Sequence, residues 1–137
     1  MVRVTLVVGA AIVRQGRVLA ARRTYPPAVA GRWEFPGGKQ APGETPEQSL
    51  IREVSEELAT TIAVVGWLPG EVALTSPDTP AANGHLVLRI GLARLTGPEP
   101  QPTEHDALRW LCPDELDDVD WLEPDRPFLS ALRAHLP

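Results

Sequence analysis

Between residues 37 and 58 the chain reads GGKQAPGETPEQSLIREVSEEL, and three carboxylates, Glu53, Glu56 and Glu57, fall almost side by side with one base, Arg52, among them. At 100° per residue these three occupy an arc of about 100° on a helix, while Leu50, Ile51, Val54 and Leu58 make a separate apolar arc. Like charges at i,i+3 and i,i+4 each cost roughly 0.2–0.5 kcal/mol, and Arg52 relieves only part of that through its i,i+4 neighbour Glu56. Two readings of the stripe stand open: a solvated acidic helix face, or a set of oxygen ligands for a hard divalent ion. No His or Cys lies beside it to draw zinc instead.

The spacing upstream bears on the choice. Gly38 is followed by five residues and Glu44, then by seven and Arg52-Glu53-Val54-Ser55-Glu56-Glu57. This stretch resembles the Nudix box, G-x5-E-x7-R-E-U-x-E-E-x-G-U with U aliphatic. The match fails at its end, where Ala59 and Thr60 stand in place of Gly and an aliphatic residue. Gly there would supply a left-handed helix terminus, and Ala in that conformation costs roughly 1 kcal/mol, so a differently built helix end is expected. The resemblance runs over nearly the whole chain: VVGAAIVRQGRVLAARR, AGRWEFPGGK and EHDALRWL are similar to small MutT-type nucleoside triphosphate pyrophosphohydrolases, especially their CTP-preferring relatives.

That resemblance implies a Mg²⁺-dependent reaction, with Mn²⁺ as a possible substitute, in which water cleaves a nucleoside triphosphate to a monophosphate and pyrophosphate. It implies Glu53, Glu56 and Glu57 as metal ligands, the Gly37 carbonyl as a further one, and Arg52 as the base that orients the carboxylates through forked hydrogen bonds. Gly38 and Glu44 belong to the box as structural members, Glu44 supporting the loop. Glu104 matches the remote carboxylate that completes the metal site or takes a proton from the attacking water, and His105 beside it reads as a bystander. Arg23 and Lys39 are the phosphate-contact candidates. Asp125 falls where MutT-type enzymes place a base-reading Asn or Asp. An ionised Asp accepts from the N4 amino group of cytosine, favouring CTP, dCTP or 5-methyl-dCTP, whereas a protonated one in an apolar pocket suits 8-oxo-dGTP. Asp125 serves equally as an N-cap for the last helix. Phe35 and Trp33 are candidates for stacking on the base. ADP-ribose or another nucleoside-diphosphate conjugate is the alternative substrate, Pro77 lying near a position that ADP-ribose pyrophosphatases occupy with Pro, and a non-catalytic nucleotide sensor is the alternative outside catalysis.

These residues need elements to hold them. VTLVVGAAIVR, QG and RVLAARR read as two strands and a tight turn, and TYPPAVAGR as a loop. WEF is a short strand and PGGKQAPGE an irregular stretch. Thr45, Pro46 and Gln48 then give an N-cap, a first-turn Pro and a T-x-x-Q capping box for a helix running to about Leu58. IAVVGWL, EVALT, HLVLRIGLARL and ALRWL read as further strands, with Leu86, Leu88, Ile90 and Leu92 on one face. GPEPQPTEHD is irregular, and RPFLSALRAHL is a closing helix with Phe128, Leu129, Leu132 and Leu136 at helical spacing. The order is that of an α+β fold, and the resemblance implies an α/β/α sandwich around a mixed central sheet, in a single domain over 1–137.

Composition narrows the setting. A net charge of −5 without a Lys or Arg run argues against a nucleic acid polymer as partner, and the longest apolar run, VTLVVGAAIV, falls short of a bilayer span. Lone Cys112 excludes an internal disulfide, and no secretory signal is recognisable, so a reducing cytoplasm is the expected compartment. A small nucleotide is the expected partner, for a monomer or homodimer.

Overall fold

The computed structural model describes residues 4–74 and 85–136. Strands β1 (Val4–Arg14) and β2 (Arg17–Arg22) form the expected hairpin. Gln15 and Gly16 both sit at positive φ, as a two-residue turn between right-twisted strands requires. The loop after β2 contains one 3₁₀ turn, Pro27–Val29, and leads to β3 (Trp33–Glu34). The next stretch departs from expectation. PGGKQAPGE is not wholly irregular, because Gly37–Lys39 forms β4, antiparallel to β1 with Val8 opposite Gly38. Glycine weakens a strand interior, yet pairing to a long neighbouring strand supplies the order that the two glycines do not.

Helix α1 (Pro46–Leu58) starts as read, with the Thr45 hydroxyl accepting from the Gln48 N–H and the Gln48 side chain accepting from the Thr45 N–H. Its end corrects the sequence reading. Ala59 itself takes the left-handed conformation, φ 53° and ψ 40°, so the usual terminus is kept at a steric cost. Thr60, in the aliphatic position, is buried and gives its hydroxyl to the Pro98 carbonyl.

Strands β5 (Ile62–Trp67), β6 (Val72–Leu74), β7 (His85–Leu95) and β8 (Ala107–Leu111) follow. The central pair, β1 and β7, is parallel from Val4 opposite His85 to Ile12 opposite Ala93; all other named strand pairs are antiparallel, so the sheet is mixed. Its main path runs β3-β2-β1-β7-β5, with β8 also on β2. Both faces are covered. Val8, Ala10 and Ile12 of β1 pack with Leu50, Val54 and Leu58 of α1, while Ala11 packs with Leu88 and Ile90 on the other face, beneath Trp121, Leu132 and Leu136. This alternation is the period of two that a doubly covered strand requires.

The closing helix is shorter than its apolar spacing suggests. Glu123–Phe128 is a 3₁₀ segment containing Pro127, and α2 spans only Leu129–Arg133. Pro127 lacks the N–H that an α-helical turn there needs, yet Phe128, Leu129, Leu132 and Leu136 are all buried as their spacing implies. Among the described residues, no helix is long and apolar enough to cross a membrane. Pro77 lies outside the described residues.

Candidate active site

The box loop and α1 meet through a close approach. A Cβ on Gly38 would lie 2.5 Å from the Glu53 carboxyl carbon, so glycine is what lets that carboxylate rest against β4. Arg52 ties the region together. Its Nε and Nη2 donate to the two Glu44 oxygens at 2.7 and 3.0 Å, its Nη2 also reaches the Lys39 carbonyl, and its Nη1 donates to Glu53 at 2.9 Å. The i,i+4 contact to Glu56, which the sequence offers as its natural partner, is long at 3.3 and 3.4 Å. Glu44 also accepts from the Ala41 N–H and the Ser49 hydroxyl. These bonds, led by the one from Arg52, hold its carboxyl down at about 2. Glu44 thus braces Arg52 and the loop together.

The acidic stripe splits three ways. Glu56 is exposed beside Arg52, Glu53 lies between Arg52 and Gly38, and Glu57 is buried with its Oε2 accepting the Gly37 N–H at 3.0 Å. Glu57 opens onto a pocket of about 370 Å³ that also takes in Glu104, Glu34, His105, Arg23 and Tyr25. Burial first, then the charges of Glu34 and Glu53, push the Glu57 carboxyl up to about 8, and Glu104 adds to this while the Gly37 N–H opposes it.

Two members of this pocket were not legible as such. Glu34 gave no signal beyond being a charge between the aromatics of a short buried strand. Its Oε1 accepts from Arg23 Nη1 and its Oε2 from His105 Nε2, both at 2.9 Å. His105, read as a bystander, is inserted into the pocket wall with its side chain 4% exposed. Arg23 also donates from Nε and Nη2 to the Tyr25 carbonyl. Lys39 is exposed on β4, and its ammonium forms no ion pair among the described residues.

A second pocket, of about 220 Å³, shares the Arg23–Glu34 pair with the first as lining. Phe35, Leu74, Leu88, Gly37, Gly38 and Asp125 line it. Asp125 is buried, and its Oδ2 accepts the Phe35 N–H at 3.0 Å across 90 residues of chain. It does not cap a helix: it lies inside the 3₁₀ segment, which starts from Leu122, and α2 starts from Phe128, neither start having a side-chain cap. Burial, opposed by the Phe35 N–H and reinforced by Glu34, raises its carboxyl to about 7. Phe35 packs its ring 4.7 Å from that of Trp121, and Trp33 is buried with the Arg22 guanidinium 5.7 Å above it.

Among the described residues, no three acidic, His or Cys side chains form a ready-made metal shell. The donor set nonetheless suits a hard divalent ion. Glu57 is raised because its buried carboxylate faces the charges of Glu34, Glu53 and Glu104, and a cation among oxygen ligands is what lets such a group ionise together.

The NUDIX domain family model matches residues 3–132. The chain is 45% identical over 133 residues to a provisionally named 8-oxo-dGTP diphosphatase 2 of Mycobacterium tuberculosis, covering 96% of this chain and 89% of that one. It is 32% identical to the CTP pyrophosphohydrolase of Escherichia coli, over 93% of this chain and 90% of the relative. Among solved structures, the MutT NUDIX hydrolase from Burkholderia pseudomallei superposes with a TM-score of 0.78 at 32% identity, covering 95% and 98% of the two chains.

Proposed function

We infer the detailed reaction from the premise that this chain belongs to the Nudix family and is a hydrolase acting on phosphoric anhydride bonds, a pyrophosphohydrolase in a family whose substrates are small nucleotides. The substrate assigned here is a nucleoside triphosphate, split by water into a monophosphate and pyrophosphate, with cytidine nucleotides (CTP, dCTP, 5-methyl-dCTP) or 8-oxo-dGTP as the preferred bases. A role in clearing unwanted nucleotides follows from that choice.

One observation carries the reading: a base-sized pocket closed by buried Asp125 shares its Arg23–Glu34 wall with the pocket of Glu57 and Glu104. A nucleotide with its base against Asp125 then extends its phosphates toward the carboxylates. Oδ2 of Asp125 is engaged by Phe35 and Oδ1 has no protein donor among the described residues, which leaves one oxygen to read the base. A carboxyl raised to about 7 both accepts and donates near neutrality, so it suits an amino-bearing pyrimidine and an oxidised purine alike. The Phe35 ring supplies an apolar wall for the base.

Nudix hydrolases generally use divalent metals. Here Mg²⁺, or Mn²⁺ in its place, would be held by Glu53, Glu56, Glu57 and Glu104 with the Gly37 carbonyl, and it would supply charge neutralisation at the diphosphate and activation of water. Arg52 and Glu44 hold the box carboxylates in register, and one of the site carboxylates takes the proton of the attacking water. Arg23 and Lys39 contact the phosphates.

A panel of CTP, dCTP, 5-methyl-dCTP, 8-oxo-dGTP and ADP-ribose with Mg²⁺, scored by kcat/KM and product identity, tests this. Monophosphate plus pyrophosphate from a cytidine or oxidised nucleotide is the expected result. ADP-ribose cleaved fastest, or orthophosphate as the first product, would overturn it.

A further inference from the structure

We propose that His105, through Glu34, is a positioning residue that fixes Glu104 against the acidic end of α1. This rests on the reading of Glu104 as the carboxylate that completes the metal site. Glu104 stands in an irregular, Pro-rich segment where a glutamate would ordinarily wander in solvent. Its own side chain is exposed and makes no hydrogen bond among the described residues, yet it lines the same pocket as buried Glu57. Its neighbours provide the explanation.

On one side, the Thr103 hydroxyl donates to the Glu56 and Glu57 carbonyls at 2.8 and 3.0 Å, and the Thr103 N–H reaches the Glu57 carbonyl at 2.9 Å. These are orphan carbonyls at the end of α1, so the segment docks on the helix through groups that need partners. The Glu104 carbonyl itself accepts from the Thr24 hydroxyl. On the other side, two side chains anchor the segment: exposed Asp106 accepts from the Arg22 Nε at 2.7 Å, and His105, 4% exposed, meets Glu34. A carboxylate oxygen accepts, so Nε2 is the nitrogen that carries the proton in its 2.9 Å contact with Glu34. Nδ1 is buried without a partner among the described residues, so Glu34 is the one hydrogen-bond partner that orients the ring there.

Glu34 is fixed in turn, because Arg23 occupies its other oxygen. The pair therefore links β3, which bears the wall between the two pockets, to the residue next to Glu104. Anchors at Thr103 and at Asp106, whose N–H meets the Arg22 carbonyl and whose Oδ1 accepts from the Arg22 Nε, hold the segment on the fold without it. The ring's task is then to set the direction in which Glu104 leaves the chain, and such supporting contacts typically matter 10–100-fold for metal affinity or turnover.

The test compares His105→Leu with His105→Gln, whose amide nitrogen takes the place of Nε2 and still donates to Glu34. Mn²⁺ binding to the full chain without nucleotide is measured by electron paramagnetic resonance, beside kcat and KM with Mg²⁺ and a thermal melt. In H105L, Mn²⁺ affinity and kcat are each expected to fall about 10–100-fold while KM for the nucleotide stays within about twofold, and H105Q should recover most of both. If H105L does not fold, His105→Asn, too short to reach Glu34, replaces it with the same expectation. Mn²⁺ affinity within about twofold of wild type, or H105Q no better than H105L, would overturn the assignment. A wild-type chain that releases no pyrophosphate while the Mn²⁺ ratios hold would sink the substrate reading and leave this one standing.

Discussion

Glu57→Gln separates the two things that a buried carboxylate does at this site. In the metal-free protein the Glu57 carboxyl is raised from 4.5 to about 8, chiefly by burial and then by Glu34 and Glu53. A native-state value above the unfolded one means that the folded chain keeps its proton where the unfolded chain has lost it. The contribution of Glu57 to stability is therefore greatest below about pH 4.5 and declines as pH rises through about 8. At about 1.4 kcal/mol per pH unit, the loss over that window is roughly 5 kcal/mol. Gln is nearly isosteric, and its amide oxygen still accepts the Gly37 N–H, but its amide donors face a buried site at a cost of roughly 1–3 kcal/mol. Chelator-treated E57Q should thus be about 2–4 kcal/mol more stable than wild type near pH 9, and no more stable near pH 4. Denaturant melts at both pH values measure the difference, and other titrating groups cancel in the comparison. Millimolar Mg²⁺ should stabilise the wild type at pH 8 and leave E57Q unmoved, while turnover of E57Q falls by more than the 10–100-fold typical of supporting residues. Equal pH slopes in the two metal-free proteins, or turnover preserved in E57Q, would refute the reasoning.

Asp125→Asn keeps an oxygen for the Phe35 N–H and turns the remaining acceptor into a donor, so kcat/KM for CTP relative to 8-oxo-dGTP should fall about tenfold or more in a paired assay. Glu44 is held at about 2, so its contribution to stability is present above about 4.5 and lost as pH falls through about 2. Glu44→Gln should flatten the acid-unfolding profile over that window, and turnover should drop about 10–100-fold as Arg52 loses its brace. Ala59→Gly relieves a left-handed alanine at φ 53°, with an expected gain of about 0.5–1 kcal/mol and a rise in Tm of about 2–4 °C by calorimetry.

Local chemistry was readable wherever it depends on residues close in the chain. Thr45, Pro46 and Gln48 specify the start of α1 among themselves, and the alternation of apolar residues in β1 and β7 follows from their own order. The box residues likewise lie on one loop and one helix, and the resemblance of their spacing to the Nudix box marked Gly38, Glu44, Arg52 and Glu53 as one group, although helical spacing alone paired Arg52 with Glu56 rather than with Glu44. Two local inferences failed because a distant partner outweighed propensity. Gly37–Lys39 became a strand because β1 runs beside it, and Ala59 accepted a left-handed conformation because the next residue is held by Pro98.

What the sequence determined by itself was the set of charges on α1, fixed by covalent order and helical pitch, and the class of chemistry followed from the resemblance of its spacing to the Nudix box. Tertiary structure alone decided which carboxylates are buried and what faces them. Glu34, Glu57 and Glu104, and Phe35 with Asp125, are brought together from segments 20 to 90 residues apart, and a hydrogen bond or a desolvated charge exists only once the chain has folded over it.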